Sequence, residues 1–125
     1  MRDFVIALSN RPGELASVTN ALSLQGVNIR SLAAIAPGNQ AVLRLIADDM
    51  ETARDALRSA NIHFEEQEVV TVMLENRAGE VTGVAAKLAD AGLNLHAIYV
   101  IGLADDLIEL AIAVDDPKKA KKLLE

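Results

Sequence analysis

The sequence predicts an α+β protein in which one unit is used twice. Each unit is a β-α-β-β-α-β string with a mainly antiparallel sheet and helices on one face. Three observations carry this prediction. Asn10-Arg11-Pro12-Gly13-Glu14-Leu15 returns as Asn76-Arg77-Ala78-Gly79-Glu80-Val81, an offset of 66 residues from Arg11 to Arg77. The segments that follow close alike, as Gln25-Gly26-Val27-Asn28-Ile29 and Ala91-Gly92-Leu93-Asn94-Leu95. Between Leu8 and Leu32, nine of twenty-five aligned pairs are identical, where ordinary residue frequencies give roughly one or two. Finally, short apolar runs alternate with segments whose apolar residues recur at helical spacing. A repeat of this kind overrides the single-domain reading of a 125-residue chain. The expected units are residues 1–68 and 69–125, each marginal alone, so the copies are expected to pack together.

Phe4 to Leu8 is short and continuously apolar, as in a strand covered on both faces. Asn10-Arg11-Pro12-Gly13 breaks it: Asn suits a turn or cap, and Pro is tolerated at a helix start, where its missing N–H would have been unpaired. From Glu14, the residues Leu15, Val18, Ala21 and Leu22 fall on one helical face, and Gly26 supplies a left-handed stop. Val27 to Ala36 and Ala41 to Ala47 read as a hairpin about Pro37-Gly38-Asn39. Asp48-Asp49 then offers an N-cap for a helix from Met50 to Ala60. A fourth strand is expected to start at Ile62 to Phe64, ahead of the acidic Glu65-Glu66-Gln67-Glu68.

The second copy repeats this order. Val69 to Leu74 is a strand, and the next helix turns Val81, Val84, Ala85 and Leu88 inward. Leu93 to Leu103 and Leu107 to Val114 form a hairpin about Asp105-Asp106. Asp116-Pro117 caps a last helix with Pro at its first position. A counterpart of the fourth strand is not expected, so the second unit reads as truncated after its second helix. Strand, helix, strand, strand, helix, strand is the ferredoxin-like order. Phe4–Leu8, Ala97–Ile101 and Leu110–Val114 are apolar throughout, whereas a helix-free sheet face normally alternates with polar residues. The bare face is therefore expected to be covered by another sheet, from a second chain.

Composition excludes several function classes. The net charge of −6 argues against nucleic acid, whose phosphates call for a basic face. Phe4, Phe64 and Tyr99 are too few for base stacking on a sheet. The chain has no cysteine, hence neither disulfides nor thiolate chemistry. His63 and His96 have no nucleophile-and-base partner and no metal-ligand spacing, so neither an enzyme nor a cofactor is expected. The five-residue run Phe4–Leu8 is too short for a signal-peptide core or a membrane span, and a soluble cytoplasmic protein is the expectation.

A strand, then Asn-Arg-Pro-Gly-Glu-Leu, a helix, Gly-Val-Asn-Ile and a hairpin together resemble the ACT domain. That domain is a small regulatory module attached to or associated with enzymes of amino-acid metabolism. The resemblance covers almost the whole chain as two units in tandem and is nearest to stand-alone double-ACT proteins. Asn10 and Asn76 stand where many members have Asp, and Ala78 replaces the second proline. ACT units commonly pair side by side, with a free amino acid at the interface. The resemblance therefore implies a ligand site of Asn10, Arg11, Pro12, Gly13, Glu14 and Leu15, completed by Asn94. A pseudo-equivalent site has Asn76, Arg77, Gly79, Glu80 and Val81, completed by Asn28. It also implies a homo-oligomer, a dimer in the first instance, and a separate enzyme of amino-acid metabolism as a regulated partner.

Physical chemistry agrees with such a placement. A helix N-terminus offers unpaired N–H groups and partial positive charge to a carboxylate. Gly13 and Gly79 permit close backbone approach, and Asn side chains both donate and accept. Against this, the glycines also suit a tight turn, Asn28 and Asn94 suit local turns, and Arg11 and Arg77 suit solvent. Arg30 and His96, at matching places early in the second strands, read as structural. Lys118, Lys119, Lys121 and Lys122 read as a solvated helix face, and Asp48, Asp49, Asp115 and Asp116 as caps rather than metal ligands. The alternative function is a ligand-free oligomerisation or protein-interaction module.

Overall fold

In the computed structural model, which describes residues 1–125, the elements run β1 (Arg2–Ser9), α1 (Glu14–Leu24), β2 (Ile29–Ile35), β3 (Gln40–Ala47), α2 (Met50–Ser59) and β4 (Glu65–Glu68). They continue as β5 (Val70–Glu75), α3 (Glu80–Asp90), β6 (Leu95–Ala104), β7 (Leu107–Val114) and α4 (Pro117–Leu124). Two units emerge, Arg2–Gln67 and Glu68–Glu125 together with Met1. No helix is long and apolar enough to cross a membrane.

The first unit is a four-stranded sheet in the order β2-β3-β1-β4. β3 runs antiparallel to both β1 and β2, with Phe4 opposite Leu45 and Ile6 opposite Leu43. These side chains share one face because strand residues alternate. On that face Val18 and Leu22 of α1, with Ala53, Ala56 and Leu57 of α2, complete the core. The second unit repeats the plan with three strands, β5-β7-β6, again antiparallel. Val70, Leu110, Ile112 and Val114 pack there with Val84, Leu88 and Ala120. The fold is thus α+β, two ferredoxin-like units in tandem, the second without a fourth strand.

Turn chemistry explains where the helices start and stop. Gly13 (φ 89°) and Gly79 (φ 90°) precede α1 and α3 in the left-handed region, which a Cβ disfavours. Asp49 and Asp116 cap α2 and α4 through bonds from Thr52 N–H (3.0 Å) and Lys119 N–H (3.1 Å). The Thr52 hydroxyl (2.6 Å), followed by the Thr52 N–H, holds the Asp49 carboxyl below its ordinary pKa by favouring the charged form.

Three expectations need correction. The fourth strand does not begin at Ile62–Phe64 but occupies Glu65–Glu68. Asn61 is left-handed (φ 58°), and Phe64 packs edge-on to Phe4 with ring centroids 5.1 Å apart. Phe64 thus serves as a core plug, and the following acidic residues form the ladder. Arg54 binds Glu66 (2.6 Å) and Arg44 binds Gln67 (2.8 Å), holding that polar edge strand. Second, Asn10 does not cap α1; Gly13 occupies that position without a side-chain hydrogen bond. Third, Leu15 and Val81 do not turn inward: they are 41% and 45% exposed, because one turn into each helix the core stripe is already filled by Val18 and Val84. The helix-free face of the first sheet also carries a buried ion pair, Arg44 to Asp3 at 2.8 Å.

Candidate functional site

The loop between β1 and α1 is fastened to the tip of the β2–β3 hairpin. Asn10 N–H donates to the Asn39 carbonyl (2.8 Å), and its Nδ2 donates to the Gly38 carbonyl (2.7 Å). Both bonds go to main chain, so they fix the loop whatever side chains the hairpin carries. Arg11 N–H then turns back to the Ser9 carbonyl (2.9 Å), and Gly13 reverses the chain into α1. The Arg11 guanidinium lies 2.8 Å from Glu14. It is a largely exposed i,i+3 pair worth little to stability. Its geometric effect is to keep Arg11 over the start of the helix.

Against this loop lies a cavity of about 170 Å³ between Asn10, Arg11, Glu14 and Leu15 on one side and Ile35 and Val42 on the other. At about 30 Å³ per water that is the space of roughly five or six waters, the size of a small amino acid rather than of a nucleotide. Its chemistry is mixed. Leu15 and Ile35 supply an apolar wall, and Arg11 supplies positive charge. The exposed Leu15 has its physical account here, as cavity lining. A broader groove of about 810 Å³ runs along α1 and brings Gly13 and Asn28 together. Asn28 is held there by Asp48, its Nδ2 donating at 2.7 Å.

The second unit copies the loop but not its surroundings. Asn76 N–H donates to the Asp106 carbonyl (2.6 Å), Arg77 N–H to the Glu75 carbonyl, and Gly83 N–H to the Gly79 carbonyl. Arg77 is drawn to Glu75 at 2.8 Å, with Glu80 more distant at 3.9 Å. Because the hairpin is shortened to Asp105-Asp106, with Asp105 left-handed (φ 52°), the adjoining pocket of about 540 Å³ is lined by Glu75, Asn76, Arg77, Asp105, Asp106 and Leu107. Arg77 is paired with Glu75 there, so the carboxylates of Asp105 and Asp106 leave the rim net negative, which opposes an anionic ligand group. Val81 lies on the exposed start of α3. Asn94 N–H donates to Asp115 Oδ1 at 3.2 Å.

Several further residues find a local role. Asp48 and Asp115 are not helix caps but bind Asn28 and Asn94. Arg30 and His96 both fall where the ladder register slips, between Ile29 and Ser31 and between Leu95 and Ala97. The duplicated feature at those positions is a β-bulge. Sequence reasoning missed the hairpin wall formed by Ile35 and Val42. Their exposure, 69% and 43%, is an unusual amount of apolar surface for strand residues and was not readable from periodicity.

No protein-family model and no curated protein matches the chain. Solved structures do. A protein from Bacteroides thetaiotaomicron superposes over 98% of this chain and 85% of its own, with TM-score 0.87 and 23% identity. The ligand-free regulatory subunit of aspartate kinase from Thermus thermophilus matches over 98% and 88%, with TM-score 0.65 and 17% identity. E. coli aspartokinase III, solved in complex with lysine and aspartate, matches over 98% of this chain and 30% of its own, with TM-score 0.52 and 17% identity. At these identities the likeness establishes the fold alone, that of two ACT-like units in tandem.

Proposed function

We propose that the chain is a non-catalytic regulatory module that binds a free amino acid at the β1–α1 loop of its first unit. The carrying observation is the Asn10-tied loop, whose Asn10, Arg11, Glu14 and Leu15 line a cavity of small-amino-acid size, while the left-handed Gly13 sets the start of α1 and borders the neighbouring groove. Unpaired N–H groups at the helix start suit the ligand carboxylate, Arg11 adds positive charge, and Leu15 and Ile35 favour an aliphatic side chain. The acidic rim of the second loop makes it the weaker of the two sites. Completion of the sites by Asn94 and Asn28 rests on the ACT resemblance alone. The aspartate kinase regulatory subunit among the structural neighbours supports the regulatory reading. A cytoplasmic homodimer acting on a separate enzyme of amino-acid metabolism belongs to the same proposal.

The test is thermal unfolding of the protein with each of the twenty amino acids. At a concentration about 100 times Kd, binding to the native state alone adds roughly 2.7 kcal/mol, a shift of several degrees. One or two amino acids should stabilise the wild type and fail to stabilise Asn10→Ala. If none of the twenty shifts the transition, the amino-acid sensor is wrong and a ligand-free interaction module takes its place.

A further inference from the structure

Glu14 lines the candidate cavity, and binding of a ligand carboxylate gives it nothing to do. Its side chain is 27% exposed, against 73% for Arg11. It shares the cavity with Arg11 and with the apolar Leu8, Leu15, Ala34 and Val42. A carboxylate in such surroundings loses hydration and calls for cationic partners. Arg11 supplies one, but it engages half of the group. Arg11 Nε (3.3 Å) and Nη2 (2.8 Å) both donate to Glu14 Oε1. A carboxylate accepts at both oxygens and a guanidinium donates from all three nitrogens. Glu14 Oε2 therefore stays open to a further donor, and Arg11 Nη1 to a further acceptor. One pair offers an acceptor and a donor of opposite charge beside an apolar hollow.

The duplication supplies a contrast. Arg77 and Glu80 stand 66 residues on from Arg11 and Glu14. There Arg77 Nη1 binds Glu75 at 2.8 Å, while its Nε lies 3.9 Å from Glu80. The adjoining pocket takes in Arg77 but not Glu80. The same two residue types are present in both loops, and only in the first do both line the cavity.

We infer that the Arg11–Glu14 pair recognises the zwitterion of the ligand. The α-carboxylate goes to Arg11 Nη1, the α-ammonium to Glu14 Oε2, and the side chain to the apolar part of the cavity. Glu14 is the specificity-determining residue, and the ligand class is the free, unmodified aliphatic amino acid. The same carbon skeleton without its amino group, or with that group acylated as in a peptide, is rejected, because Glu14 Oε2 would lose water and gain no cation. This rests on amino-acid binding at the β1–α1 loop and adds the basis of its selectivity.

The probes are L-alanine, L-valine and L-leucine, their des-amino counterparts propionate, 3-methylbutanoate and 4-methylpentanoate, and the three N-acetyl amino acids. Each is titrated calorimetrically into the full-length protein at neutral pH. The expected result is that at least one amino acid binds wild type at least about tenfold tighter than its des-amino and N-acetyl forms, the scale of one charge-assisted hydrogen bond. Glu14→Gln should weaken that amino acid at least about tenfold and leave the des-amino acid unchanged, so that discrimination collapses. Glu80→Gln should alter neither. Discrimination intact in Glu14→Gln would overturn the inference while amino-acid binding stands. Equal loss of the amino acid and the des-amino acid would also overturn it, since Glu14 would then serve only to hold Arg11 in place. So would no binding of any of the three amino acids to wild type, and thermal unfolding with all twenty then tells whether the amino-acid sensor fails as well.

Discussion

Gly13 and Gly83 offer a paired test of how this chain uses glycine. In both positions a Cβ would meet nothing within 4 Å, so neither Ala substitution creates a clash. They differ in backbone. Gly13 sits at φ 89° and ψ −11°, where an L-residue is disfavoured by roughly 1–2 kcal/mol. Gly83 lies within α3 at no positive φ, and there Ala is better than Gly by roughly 0.5–1 kcal/mol. Gly13→Ala should therefore lower stability by about 1–2 kcal/mol, and Gly83→Ala should raise it by up to about 1 kcal/mol. With roughly 4 °C per kcal/mol for a chain of this size, urea and thermal midpoints resolve both. The slope of the urea transition should not change in either variant. A neutral Gly13→Ala would show that the loop tolerates another turn, and the pre-set geometry claimed for the candidate site would fail with it. A destabilising Gly83→Ala would refute the helix-propensity argument.

Further outcomes follow from the core and the charges. Leu22→Ala and Leu88→Ala, removing nearly inaccessible side chains from equivalent places, should each cost about 2–5 kcal/mol in chemical denaturation. Asp3→Ala leaves the largely buried Arg44 guanidinium without its carboxylate, with the Gln67 side-chain oxygen still accepting from it, and should cost about 3–5 kcal/mol, whereas Asp3→Leu combined with Arg44→Met should recover most of that loss. For Asp49 the folded-state pKa lies below the ordinary value. Its contribution is complete above the unfolded pKa and disappears as pH falls through the folded one. The stability gap between wild type and Asp49→Asn should therefore be constant near neutral pH and shrink in acid, as equilibrium unfolding from pH 7 to pH 2 would show.

Much of the fold was legible because the chain says it twice. Asn-Arg-x-Gly-Glu and Gly-x-Asn mark helix starts and strand returns by backbone requirements that survive duplication, and Asp116-Pro117 announces α4 by capping chemistry. What was not legible depends on tertiary context. Glu65–Glu68 has poor strand propensity, yet becomes β4 because Arg54 and Arg44 supply its partners. Ile62 and Phe64 look like strand residues, yet are taken by the core. Asp3 and Arg44 are 41 positions apart, and only the β1–β3 register makes them an ion pair. At the candidate site the motif pointed to Asn10–Leu15. The fastening to Gly38 and Asn39 and the wall of Ile35 and Val42 came from a hairpin distant in sequence. The same hairpin, shortened to Asp105-Asp106, is what makes the second loop acidic.

The most direct test is titration of the isotopically labelled protein with the stabilising amino acid, following backbone amide resonances. The account predicts saturable shifts concentrated at Asn10 and Gly13–Leu15, with Ile35 and Val42 affected and the Asn76–Val81 loop responding more weakly. Saturable shifts elsewhere with this loop silent, or no saturable shift with any of the twenty amino acids, would contradict it.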